Sequence, residues 1–241
     1  MLSDRNKQEW REQLEVSSDE AIVEWVEIGK YLRQYDRERL GQLIDWWADT
    51  RLDALCEMAE AGDAFSSSMV VAVGSLMAAS PRIDGHVTRA SELLQRVVPG
   101  LAAGEDDEMV CLALANLTIA RTRIAFLKSV SATTLHCAGV AARDKGKSLS
   151  AEAQDRMREA LAEAERAFET MQTTYVLFEE RGKGSDKLVS PVVARVSEVE
   201  KMMDRARRCA ADDEECRRIL KSDGRRPVDS GSMPGDGATW P

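Results

Sequence analysis

The segment from Ala151 to Glu180 most tightly limits what this chain can become. Met157, Ala160, Leu161, Ala164, Phe168, Met171, Tyr175 and Phe178 recur there at helical steps. That spacing gathers them on one stripe of an α-helix and would scatter them over both faces of a strand. The residues between them are mostly Ala, Glu, Gln and Arg, whose side chains lose little rotamer freedom in a helix. An amphipathic helix this long needs other elements to cover its stripe. Nothing in the chain offers a sheet for that purpose, because runs of Val, Ile or Tyr alternating with polar residues are absent. Apolar residues make up 44% of the 241, enough for a core, but aromatics are only 5%, so Leu, Val, Ala and Met must fill it. The fold class expected is all-α: a multi-helix bundle of about seven to eight helices with a disordered C-terminal tail.

Local signals divide the chain. A short charged helix over 4–16 carries Trp10 and Leu14 on one face, and Ser17-Ser18 caps a second helix with Ile22, Trp25, Val26, Ile28 and Leu32 inward. Gly29 inside it marks a helix end or a close contact. A third helix is expected over 36–61 and closes at Gly62-Asp63. A fourth, over 64–79, stops at Ser80-Pro81, and a fifth, over 83–98, closes at Pro99-Gly100. The acidic run 105–108 opens a helix extending to Arg143. Its Met109–Ala120 half is apolar nearly all round and so is buried and central, while Ser129–Thr134 is polar enough for a kink. After a turn at Asp144–Lys147, Ser148 or Ser150 caps the 151–180 helix. A loop over 181–187 leads to a last helix over 191–221. Residues 1–100 thus form an N-terminal helical portion and 101–221 a C-terminal portion with the buried central helix. Residues 222–241, rich in Pro, Gly, Ser and Asp, form the tail.

The apolar runs 69–79 and 109–120 fall short of the ~20 residues that cross a bilayer, so no transmembrane segment is expected. Met1–Arg11 is too polar for a secretion signal. Five scattered cysteines, an odd number, fit free thiols in a reducing compartment, hence an intracellular location, cytoplasmic and nuclear. Cys209 and Cys216, on one continuous helix, would stand ~10 Å apart, too far for a disulfide.

The search for chemistry returns little. His86 and His136 belong to no helical metal-ligand spacing, and His136 and Cys137 diverge around a helix. Gly146-Lys147-Ser148 lacks the earlier glycine and the preceding strand of a phosphate-binding loop. Asp45, Asp49 and Asp53 share a helix face, which describes a solvated surface. No catalytic residue, metal-ligand set or cofactor site is therefore expected, and the chain is read as non-enzymatic. Two features point to partners. Trp46 and Trp47 are adjacent and cannot both bury on one helix face, so either one is a protein-binding anchor or both are wedged between two neighbouring helices. Arg205, Arg207, Arg208, Arg217, Arg218, Lys221, Arg225 and Arg226 concentrate positive charge near the C-terminus of a chain whose net charge is −9. They are the candidate RNA-phosphate contacts.

The Ala- and Met-rich stretch Ser150–Met171, in a helical chain of this size with a polar tail, resembles the helices of orthomyxovirus matrix proteins and accessory proteins of the isavirus group. The resemblance is one of composition and architecture, and the acidic charge departs from it. It implies a virion-associated structural protein that self-associates into a homo-oligomer or binds another protein. The alternative it implies is an RNA-binding accessory protein that antagonises the host response through the Arg-rich last helix.

Overall fold

The computed structural model describes residues 19–48, 52–103, 107–181 and 186–223. Among them are nine α-helices and no strand: α1 (Asp19–Tyr35), α2 (Arg37–Ala48), α3 (Leu52–Glu60), α4 (Ala64–Ala79), α5 (Thr88–Ala103), α6 (Asp107–Asp144), α7 (Ala151–Arg181), α8 (Asp186–Ala211) and α9 (Asp213–Asp223). The protein is all-α. The expected helix over 4–16 and the tail from 224 lie outside the described residues. Two expected helices are each two: 36–61 forms α2 and α3, and 191–221 forms α8 and α9. The fifth helix runs through Pro99 to Ala103. Pro99 and Gly100 are exposed there, so water can take the carbonyl that the proline leaves unbonded.

The chain divides into two compact units, Met1–Ala113 and Leu114–Pro241, with the division inside α6. In the first unit α4 packs against α1, α3 and α5. Its Val70, Val73, Leu76 and Met77 are buried with Trp25 of α1, Leu55 of α3 and Leu94 of α5. Two glycines allow the approach. A Cβ on Gly29 would lie 2.4 Å from Leu76 Cδ1, and one on Gly74 would lie 2.8 Å from Leu94 Cγ. The caps are local. Asp63 Oδ2 accepts from Ser66 N at 2.7 Å to start α4. Gly62, at φ +92°, closes α3 with Asp63 N bonded to Met58 O.

In the second unit α6 supplies the central helix. It is unbroken across Ser129–Thr134, where the sequence allowed a kink. Two of the polar side chains that suggested a kink are satisfied within the helix, Ser129 Oγ donating to Ala125 O (2.8 Å) and Thr133 Oγ1 to Ser129 O (2.9 Å), as are Thr118 Oγ1 on Leu114 O (2.7 Å) and Thr122 Oγ1 on Thr118 O (2.6 Å) upstream. These four buried hydroxyls therefore add no unsatisfied donor to the core. α6 is the one described helix long and apolar enough to cross a membrane, and most of its apolar stretch is buried inside the protein. Gly146, at φ +73°, ends it, with Lys147 N bonded to Ala142 O and Gly146 N to Arg143 O. Gly146-Lys147-Ser148 is thus a helix cap. Ser150 Oγ then accepts from Ala153 N (3.2 Å) to open α7. α7 buries Phe168, Met171, Thr174 and Phe178, and α8 packs along it with Val192, Val196, Val199 and Met203 buried.

Candidate functional site

Trp46 and Trp47 lie on α2, but their side chains are outside the described residues, as are Arg225 and Arg226. The other basic candidates are on α8 and α9, and most are engaged within the chain. Arg207 reaches Glu165 of α7 (3.4 Å) and stacks over the Phe168 ring, 5.6 Å from its centroid. Arg208 meets Asp204 (3.5 Å) and Glu215 (3.7 Å). Arg217 grips Asp144 through Nη2 (2.8 Å) and Nε (3.0 Å), and also reaches Glu214. Arg218 pairs with Glu215 (3.0 Å). Arg205 is half-buried, and Lys221 is exposed. A phosphate approaching Arg207, Arg208, Arg217 or Arg218 would meet a carboxylate already beside each of them. The acidic run between the two arginine pairs supplies Glu215 to Arg208 and Arg218 and Glu214 to Arg217, while Glu165, Asp204 and Asp144 supply the rest.

Two constellations escaped the sequence. The first lies in the first unit. Ser80 ends α4, and a single π-helical turn, Ile83–Val87, carries His86 back over it. Ser80 Oγ is 2.7 Å from His86 Nδ1, and His86 Nε2 is 2.7 Å from Asp45 Oδ1 on α2. The other Asp45 oxygen pairs with Arg82 Nη1. A proton arrangement that satisfies every group has His86 donating from Nε2 to Asp45, Ser80 donating to Nδ1, and Ser80 Oγ accepting from Arg82 N at 3.3 Å. The connectivity is that of a serine–histidine–carboxylate relay. However, Ser80 has no exposed surface and His86 only 6%, so a substrate carbonyl has no approach to the hydroxyl. The relay ties the α4–α5 connection to α2. Asp45, whose side chain is 46% exposed, is therefore part of a bonded network while still partly solvated.

The second constellation lies in the second unit. Asp212 interrupts the expected last helix: its Oδ1 accepts from Glu214 N (2.9 Å), and Asp213, Glu214 and Glu215 fill the first turn of α9. The ~10 Å separation expected for Cys209 and Cys216 on one helix therefore does not hold. The break folds Cys216 back until its Sγ lies 3.4 Å from Cys209 O. Cys137 of α6 completes the group, and the three sulfurs lie within 4.8 Å of one another. All three are free thiols, buried with Val140 and Ile219. Burial pushes the Cys209 and Cys216 thiols up, away from ionisation. Ion pairs brace the surrounding frame: Arg143–Asp213 (2.6 Å) and Arg217–Asp144 hold α9 to the end of α6, and Arg208–Glu215 holds it to α8.

No known protein family, no curated protein and no solved structure matches this chain.

Proposed function

We propose that the chain is a non-enzymatic helical assembly protein that pairs with a second copy of itself through α1. The observation that carries this reading is the Tyr31–Tyr35 pair. The two rings lie one helical turn apart, 4.7 Å between centroids, and are 62% and 64% exposed. Tyrosines offer large contact area at low entropic cost and are enriched where interfaces concentrate their energy. Charge around the pair favours a self-complementary, two-fold contact. On α1 Glu24 and Glu27 precede Tyr31, whereas Lys30 and Arg33 lie in the second half, and the Arg37 and Arg39 that follow on α2 are matched by Asp36 and Glu38. Antiparallel α1 helices would bring the acidic half of one copy to the basic end of the other. Trp46 and Trp47 sit on α2, which packs against α1, on the element next to the tyrosines. A matrix-type structural role is one form such self-association takes.

Sedimentation equilibrium decides the matter. The wild-type chain is expected at twice its 26.7 kDa mass. Tyr31→Glu/Tyr35→Glu is expected to weaken dimerisation by at least about 30-fold with an unchanged helical spectrum, since both side chains are exposed. A wild-type monomer at the highest soluble concentration, or a dimer indifferent to the double change, overturns the reading.

A further inference from the structure

The geometry points to Cys137, Cys209 and Cys216 as a three-sulfur site for one thiophilic metal ion of the zinc, cadmium and copper(I) class. The sulfurs come from three helices and converge within 4.8 Å. A metal–sulfur bond of about 2.3 Å sets sulfurs about 3.8 Å apart at the corners of a tetrahedron and about 4.0 Å apart around a trigonal plane. Closing onto an ion therefore asks the cluster to contract by less than about 1 Å, within the reach of small χ1 changes. The donor set is all sulfur, and such sets select soft ions over magnesium or calcium.

The surroundings define what the ion must do. In the free protein burial favours the neutral thiols of Cys209 and Cys216. Binding exchanges protons for metal: three thiols and one divalent ion give a tris-thiolate complex of charge −1 and three protons released to solvent. Arg205, whose positive charge already lowers the Cys209 pKa, offsets that charge. The frame exists without the ion, because the ion pairs of Arg143, Arg208 and Arg217 brace α9. Those pairs are partly exposed and individually weak, so α9 can swing about Asp212 to admit an ion. Metal would then fasten the short terminal helix to α6 and α8.

The test uses the full chain, reduced and freed of metal, titrated with Cd(II) and with Zn(II). One Cd(II) is expected to bind per chain, with an ultraviolet thiolate-to-cadmium charge-transfer band, proton release and an affinity that rises with pH. Cys137→Ser, Cys209→Ser and Cys216→Ser should each lower affinity by on the order of 100-fold or more. Cys56→Ser and Cys111→Ser, in the first unit, should leave it unchanged. Because a serine in a buried cluster can itself impair folding, X-ray absorption at the cadmium edge of the loaded wild-type chain provides the independent measurement and is expected to count three sulfurs. No binding, fewer than three sulfurs, or binding that survives loss of any one of the three cysteines in a folded variant overturns the site. A Cys209–Cys216 disulfide formed in preference to metal binding under reducing conditions overturns it as well.

Discussion

Gly74→Ala tests a close helix contact in the first unit, where two opposing terms can be weighed. A Cβ at position 74 would lie 2.8 Å from both Cγ and Cδ2 of Leu94 and 3.1 Å from Cδ1. Ordinary carbon contacts sit at about 3.5–4.0 Å, so Leu94 must retreat by roughly 0.7 Å or more. Its Cγ is the branch point, and spinning χ2 does not move it. Leu94 has no exposed surface, which leaves few directions for retreat. Overpacking of this kind costs about 1–3 kcal/mol. Against that, alanine in a helix interior is favoured over glycine by about 0.8–1.0 kcal/mol. The net expectation is a destabilisation of roughly 1 kcal/mol, with about 2 as the upper end. Urea unfolding followed by tryptophan fluorescence is the assay, since Trp10, Trp25, Trp46 and Trp47 all fall within residues 1–113. A double-mutant cycle isolates the cause. Leu94→Ala alone opens a cavity and costs about 2–5 kcal/mol. In that background Gly74→Ala meets no clash and should stabilise by nearly the full propensity gain. A Gly74→Ala variant as stable as propensity alone predicts, or a coupling energy near zero with Leu94→Ala, would refute the claim that α4 and α5 meet backbone to side chain at this point.

Two further outcomes are expected. Ser80→Ala removes the donor to His86 Nδ1 and leaves that buried nitrogen unpaired, which should cost about 1–3 kcal/mol in urea unfolding; an unchanged midpoint would remove the relay's structural role. Stability should also fall in alkali. Burial raises the Cys56 thiol to about 11 from an ordinary 9.0, so the folded state holds a proton that the unfolded state releases. The contribution is complete below pH about 9 and is lost as pH climbs toward about 11, and Cys56→Ala should flatten the decline over that window.

What could be read from the sequence was local. The helix start at Ser150 and the ends at Gly62 and Gly146 depend on hydrogen bonds spanning three to five residues, so residue type at fixed offsets carries the information. The buried stripe of α7 follows from periodicity alone. The central helix followed from its lack of a polar face, but its continuity did not. Ser129 and Thr133 look like breaks in sequence, and only the i−4 carbonyls that accept from them make them compatible with an unbroken buried helix.

Both constellations of chemical groups were hidden for a different reason. Asp45 stands 41 positions from His86, and Cys137 stands 79 from Cys216. A lone histidine and scattered cysteines carry no spacing signal at such distances. For Cys209 and Cys216 the signal was present but was assigned to another role. The run Asp212-Asp213-Glu214-Glu215 sets negative charge inside an arginine-rich segment, and an aspartate followed by acidic residues is equally a helix start. Taken that way, it predicts a break, the break predicts a turn, and the turn makes a seven-residue spacing short in space. The same four residues also account for the arginines. By starting α9 where they do, they place Glu215 against Arg208 and Arg218, and Asp213 against Arg143. The Glu215 pairs of Arg208 and Arg218 and the thiol cluster thus share one helix start. A substitution that fuses α8 and α9 would have to release the arginine pairs and separate the sulfurs together.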